Sequence, residues 1–170
     1  NNYDTYGVDL SKTSTYFAKN NLKLENIYCD DLTNVKFKNN FFNCVIALNL
    51  FEHIHNPRAF IKTTYQLLKA GGRLLITTLN GQGFDIQLLW NASRAVFPPH
   101  HLNFFNPDSL CRLLRDVGFE IDLIETPGAL DWDIVEGAMQ RGEAEIGRFW
   151  KLVQSMGSPG CKKELQEWLV

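Results

Sequence analysis

The residues best suited to chemistry in this chain stand just past its short apolar runs. Asp9 sits at the carboxyl end of the run at residues 5–10 (TYGVDL), and Asp30 and Asp31 close the run at residues 27–29 (IYC). In an open α/β sheet, ligands bind outside the carboxyl ends of the strands, so an acid at such an end is well placed to meet one. Asp9 can accept hydrogen bonds from both hydroxyls of a ribose, and can as readily cap the helix that follows. Asp30 can accept from the exocyclic amino group of an adenine. Asp31 competes for that role, and one of the two is expected only to solvate the loop. Further along, residues 48–53 (LNLFEH) follow the most apolar run of the chain. Asn49 there either faces a ligand or satisfies backbone groups at the strand end. Glu52 and His53 either exchange protons or orient their loop by hydrogen bonds, and His55 reads as a surface residue.

These residues need elements to hold them. Residues 5–10 and 27–29 are β-prone and read as short strands, with a helix over 14–20 capped by Ser11 or Thr13 between them. Residues 41–48 (FFNCVIAL) form a nearly continuous apolar run, the pattern of a strand buried on both faces of a parallel sheet. Asn56 followed by Pro57 opens a helix. Phe60, Ile61, Thr64, Leu67 and Leu68 share one face of it, and Gly71-Gly72 is expected to end it. Residues 73–79 read as the next strand. Asn106-Pro107-Asp108 opens a second helix by the same device, with Leu110, Leu113, Leu114 and Val117 as its stripe and Gly118 as its stop. Residues 119–124 read as one more strand. Residues 84–90 read as a lid or as an amphipathic surface helix. Beyond Pro127 the chain turns polar and helical, over 132–142, 145–155 and 162–170. Four strand–helix alternations predict an α/β, Rossmann-like, doubly wound and mostly parallel sheet with a C-terminal helical extension. The expected division is residues 1–126 for the Rossmann-like part and 127–170 for the extension.

Bulk properties exclude several classes. The 170 residues are 45% hydrophobic and 21% charged, with a formal net charge of −2. That charge gives no general attraction to nucleic acid or to an anionic membrane. No apolar run approaches the ~18 residues that span a bilayer. Cys29, Cys44, Cys111 and Cys161 are widely and irregularly spaced with no C-x-x-C pair, which argues against a cysteine zinc site or a disulfide framework. Reduced thiols in a cytoplasmic protein, and no metal, are the expectation. The opening Asn1-Asn2-Tyr3-Asp4 runs almost directly into a strand, as at a boundary inside a larger protein.

Residues 47–57 (ALNLFEHIHNP) and 67–77 (LLKAGGRLLIT) closely resemble class I S-adenosylmethionine-dependent methyltransferases, in their acid–histidine motif, following helix and Lys-x-Gly-Gly turn. Residues 98–110 (PPHHLNFFNPDSL), 113–119 (LLRDVGF) and 128–135 (GALDWDIV) are similar to the subgroup of ubiquinone-biosynthesis and polysaccharide-pathway enzymes. The resemblance implies S-adenosyl-L-methionine as cofactor, with S-adenosyl-L-homocysteine as product. It implies that Asp9, with Leu10 beside it, meets the ribose. Asp30, Asp31 and Leu32 would meet the adenine, and Asn49, Leu50 and His53 would border the methionine part. It places His101 on the substrate side, where it is the candidate general base, with His100 second. The alternative for His101 is a loop hydrogen bond, or stacking with Phe97, Phe104 and Phe105. The family's glycine-rich loop after strand one, and its final strand, are expected to lie outside these residues. The expected partner is a small-molecule acceptor methylated on oxygen or nitrogen; oligomeric state is not legible. Two other readings share the fold: a non-catalytic methyltransferase-like scaffold and a nicotinamide-dependent oxidoreductase. Glu52-His53 and the turn at residues 69–72 speak against the latter.

Overall fold

The computed structural model describes residues 3–127 and 132–155. The described residues fall into two compact units. One runs up to Ile46 and takes in Asn56–Leu75; the other comprises Ala47–His55 and the chain from Ile76 on.

In the first unit, β1 (Gly7–Val8) and β2 (Ile27–Tyr28) pair in parallel, with Gly7 opposite Ile27 and Val8 opposite Tyr28. Both are shorter than their apolar runs suggest. Between them lies α1 (Lys12–Asn20), whose N-cap Ser11 accepts the Ser14 N–H, satisfying a donor that the helix itself cannot. An aromatic cluster fills this unit: Tyr6 meets Phe37, Phe41 and Phe42 edge-to-face at 5.9, 5.3 and 5.4 Å between ring centres. That geometry sets the positive ring edge on the negative ring face. Helix α2 (Pro57–Leu67) is capped by Asn56, whose side chain accepts the Ala59 N–H. Phe60, Ile61, Thr64, Leu67 and Leu68 are all buried, as the spacing predicts. Each fully buried large apolar side chain contributes about 1.5–3 kcal/mol.

Three expectations need correction. Helix α2 ends at Leu67, not at Gly71-Gly72. The Gln66 and Leu67 carbonyls accept the Asn40 and Phe41 N–H groups, so the helix-end acceptors are satisfied early. The chain passes straight into β4 (Leu68–Thr77), which carries Gly71 at φ 73. Second, strand β3 (Phe42–Leu48) is not buried on both faces: only Ala47 is buried, while Ile46 and Leu48 are 61% and 57% exposed. Among the described residues β4 is its sole strand neighbour. An apolar run tells what a strand can bury, not what covers it. Third, residues 119–124 form no strand, and Leu123 is 73% exposed. A strand exists through its ladder, and no described strand pairs with this segment.

The second unit is mostly helical. Helix α3 (Phe84–Leu89) buries Ile86 and Leu89, and with α5 (Trp132–Gln140) it builds the core of Leu89, Val135, Ala138 and Ile146. Phe84 lies against Trp132 and against Trp150 of α6 (Arg148–Ser155), at 5.7 and 5.2 Å. This packing supports the amphipathic-helix reading of residues 84–90. Helix α4 (Pro107–Val117) opens at Asn106-Pro107 and ends at Gly118 as expected; Asn106 and Ser109 form a reciprocal capping box and Gly118 is left-handed at φ 112. Its stripe is buried or half-buried, joined by the buried Cys111. The expected helix at 162–170, Trp168 and Cys161 lie outside the described residues. No helix among the described residues is long and apolar enough to cross a membrane.

Candidate cofactor and substrate site

In the first unit Asp9 and Asp30 stand at the same end of two hydrogen-bonded parallel strands. The Asp9 N–H donates to the Tyr28 carbonyl at 3.1 Å, continuing the ladder past β1. Asp9 is exposed and its Oδ1 accepts the Ser11 N–H at 2.7 Å, so it braces the entry to α1. Asp30 is exposed, and its Oδ1 accepts from the Asp31 N–H at 2.7 Å and from Asn34 Nδ2 at 2.9 Å. The Asn34 amide, then the Asp31 N–H, hold its carboxyl below the ordinary value of 3.8. Asp31 caps its own turn, accepting from the N–H and hydroxyl of Thr33 at 2.8 and 2.5 Å. Both acids thus order the loop. A carboxylate has about four acceptor positions, so Asp9 and Asp30 both keep capacity for a ligand's hydroxyl or amine donors. That donor-accepting pair fits a nucleoside. Leu10 is 72% exposed and Leu32 half-buried.

In the second unit Asn49 follows β3 with φ 47, a left-handed conformation that asparagine tolerates better than most residues. Its N–H donates to the Thr77 carbonyl at 2.9 Å, and its Oδ1 accepts the Thr77 hydroxyl at 3.2 Å. Asn49 therefore closes the end of the β3–β4 ladder. Leu50 is exposed. A 3₁₀ turn, Phe51–His53, follows. Phe51 is fully buried and stacks at 5.1 Å on Phe105. Glu52 is buried and accepts the Thr78 hydroxyl at 2.9 Å through Oε2.

The turn is clamped to a segment some fifty residues later. The Leu102 and Asn103 N–H groups donate to the Glu52 carbonyl, and the Asn103 amide donates to the Phe51 and Ile54 carbonyls at 3.1 and 2.7 Å. Gly81 helps seat the same segment: its N–H donates to the Phe105 carbonyl, and a Cβ there would lie 2.5 Å from the Phe104 oxygen. The clamp brings His53, His100 and His101 together. The His53 and His101 rings are 4.9 Å apart, and His53 and His100 5.4 Å. His101 Nδ1 lies 2.6 Å from the Ala95 carbonyl, which is the loop hydrogen bond weighed above. Of the two alternatives for His101 the loop hydrogen bond forms; its ring meets His53 and His100, while Phe97 meets His100 and Phe105 stacks on Phe51.

Residues 1–124 match the family model described as a methyltransferase domain. The chain belongs to the methyltransferase domain family. It is 30% identical over 87 residues to a ubiquinone biosynthesis O-methyltransferase of Xanthomonas axonopodis, a match covering 48% of this chain and 36% of that one. The chain thus matches about a third of that relative's length. Among solved structures it is similar to a possible histamine N-methyltransferase of Thermotoga maritima (TM-score 0.57, 23% identity, 68% of this chain and 55% of that one). It is also similar to a phosphoethanolamine N-methyltransferase of Haemonchus contortus solved with S-adenosylhomocysteine (TM-score 0.59, 20% identity, 95% of this chain and 38% of that one). The fold of this methyltransferase domain is accordingly the Rossmann-like α/β fold. Sequence reasoning missed the buried Glu52–Thr78 pair and the Asn103 clamp, since neither leaves a local pattern.

Proposed function

We propose that this methyltransferase domain serves S-adenosyl-L-methionine-dependent methyl transfer to an oxygen or nitrogen of a small-molecule acceptor. The observation that carries the reading is the pair Asp9 and Asp30, one at the carboxyl end of each of two parallel, hydrogen-bonded strands. In this reading Asp9 accepts from the ribose hydroxyls, with Leu10 alongside. Asp30, ionised and fixed by Asn34, accepts from the adenine amine, with Asp31 and Leu32 beside the base. Asn49, Leu50 and His53 border the methionine part. When bound, the cofactor supplies an electrophilic methyl group on a sulfonium; the protein supplies alignment and, for an acidic acceptor, a base. His101 suits the latter role. A backbone carbonyl only accepts, so the Nδ1 beside Ala95 carries a proton, and in the neutral ring Nε2 holds the free lone pair. Residues 1–126 are proposed as the cofactor-binding part and 127–170 as its helical extension. The free thiols of Cys29, Cys44 and Cys111 suit a reducing, cytoplasmic setting.

The test is transfer of a labelled methyl group to a panel of phenols, catechols and amines by the full polypeptide containing these residues. Transfer that falls about 10²-fold or more in kcat in His101→Ala, with cofactor affinity kept, supports the assignment. Transfer unchanged in His101→Ala would remove that residue from the chemistry.

A further inference from the structure

We propose that His53, His100 and His101 form a binding site for a divalent transition-metal ion of the zinc class. One ligand-capable atom from each of the three side chains lies within 4.8 Å of the other two. Two of the rings are already set in the tautomer a metal needs. His53 Nδ1 lies 2.7 Å from the His100 carbonyl and His101 Nδ1 2.6 Å from the Ala95 carbonyl. Carbonyl oxygens only accept, so both Nδ1 atoms carry protons, and in the neutral rings both Nε2 atoms present lone pairs. An imidazole that donates its other N–H to a carbonyl is the usual support of a metal-bound histidine.

The surroundings favour a cation at this place. Glu52 Oε1 lies 4.0 Å from His53 Nε2, and the Glu52 side chain is 8% exposed. A buried carboxylate beside the ring favours positive charge at this place. The set is rigid on one side and adjustable on the other. The backbone of His53 is held by the 3₁₀ turn and the Asn103 clamp, and His101 is half-buried, whereas His100 is exposed. Bond lengths of about 2.0–2.1 Å in a tetrahedron need nitrogens about 3.3 Å apart, so ligand atoms now within 4.8 Å of one another close on an ion by small ring movements. Three imidazoles leave the fourth position of such an ion open to water or another ligand, and imidazole sets favour zinc, copper or nickel over magnesium or calcium. The site does not depend on the methyl-transfer reading. Ligation would occupy the Nε2 lone pair that base catalysis by His101 needs, so the two uses of that ring exclude each other.

The experiment titrates Co²⁺ and Zn²⁺ into the metal-free protein. Cobalt binding is followed by its visible ligand-field absorption, and zinc binding by the ¹⁵N shifts of the histidine rings. We expect saturable binding of one ion, with intense tetrahedral cobalt bands and zinc-induced shifts at Nε2 of His53 and His101. Affinity should fall at least about tenfold in His100→Ala and in His101→Ala, while the Cys29→Ser/Cys44→Ser double variant binds as the parent does. Circular dichroism of His100→Ala, an exposed position, checks that the fold is kept. No saturable binding, binding unchanged in both histidine variants, or binding lost with the cysteines would overturn the site.

Discussion

The Thr78 hydroxyl donates to Oε2 of the buried Glu52 at 2.9 Å, tying the segment after β4 to the turn after β3. A buried carboxylate left short of a donor bears a desolvation cost of about 1–3 kcal/mol. Thr78→Val keeps the shape and removes the donor. It is expected to lower stability by about that amount in denaturant unfolding, with Thr78→Ser restoring most of it.

At Gly81 backbone proximity, not conformational freedom, demands glycine. A Cβ there would meet the Phe104 carbonyl oxygen at 2.5 Å, and a backbone atom cannot swing aside as a side-chain tip can. Gly81→Ala should destabilise by about 1–3 kcal/mol. It should also loosen the segment carrying His100 and His101, read as faster amide exchange at Leu102 and Asn103. Exchange unchanged from the parent would detach Gly81 from the clamp.

Asp30 owes its lowered carboxyl first to the Asn34 amide. Its pKa lies below the unfolded one, so its contribution to stability is present above about 3.8 and is lost as pH falls through the depressed value. Asn34→Ala should move the Asp30 titration, followed by carboxyl ¹³C shifts, back up toward 3.8. Binding of S-adenosylhomocysteine should be level between about pH 5 and 8 as far as Asp30 is concerned, because the carboxylate is ionised throughout. A midpoint for Asp30 inside that window would contradict the arrangement.

Much of this structure is legible in the sequence wherever the signal is local. The caps at Asn56-Pro57 and Asn106-Pro107, the stop at Gly118 and the stripe from Phe60 to Leu67 each depend on neighbours within a turn or two, and each forms as expected. What depends on distant partners is not legible. Residues 119–124 have strand composition without a described strand to pair with, and the apolar side chains of Ile46 and Leu48 remain exposed. The early end of α2 is set by donors more than twenty residues upstream, at Asn40 and Phe41. The histidine cluster joins residues 47 apart through the clamp, so no spacing rule for metal ligands reports it. For the candidate site, Asp9 and Asp30 were visible as run-end acids. Their loop-bracing bonds to Ser11 and Asn34 emerge only in three dimensions.

Asp9 and Asp30 are proposed as the nucleoside-binding pair of this methyltransferase domain. Calorimetric titration of S-adenosylhomocysteine into the full polypeptide that contains these residues tests that proposal most directly. Saturable binding of one molecule is predicted, weakened at least about tenfold, or about 1.4 kcal/mol, by Asp9→Ala and by Asp30→Ala in variants that remain folded. Absence of binding, or affinity indifferent to both substitutions, would contradict it.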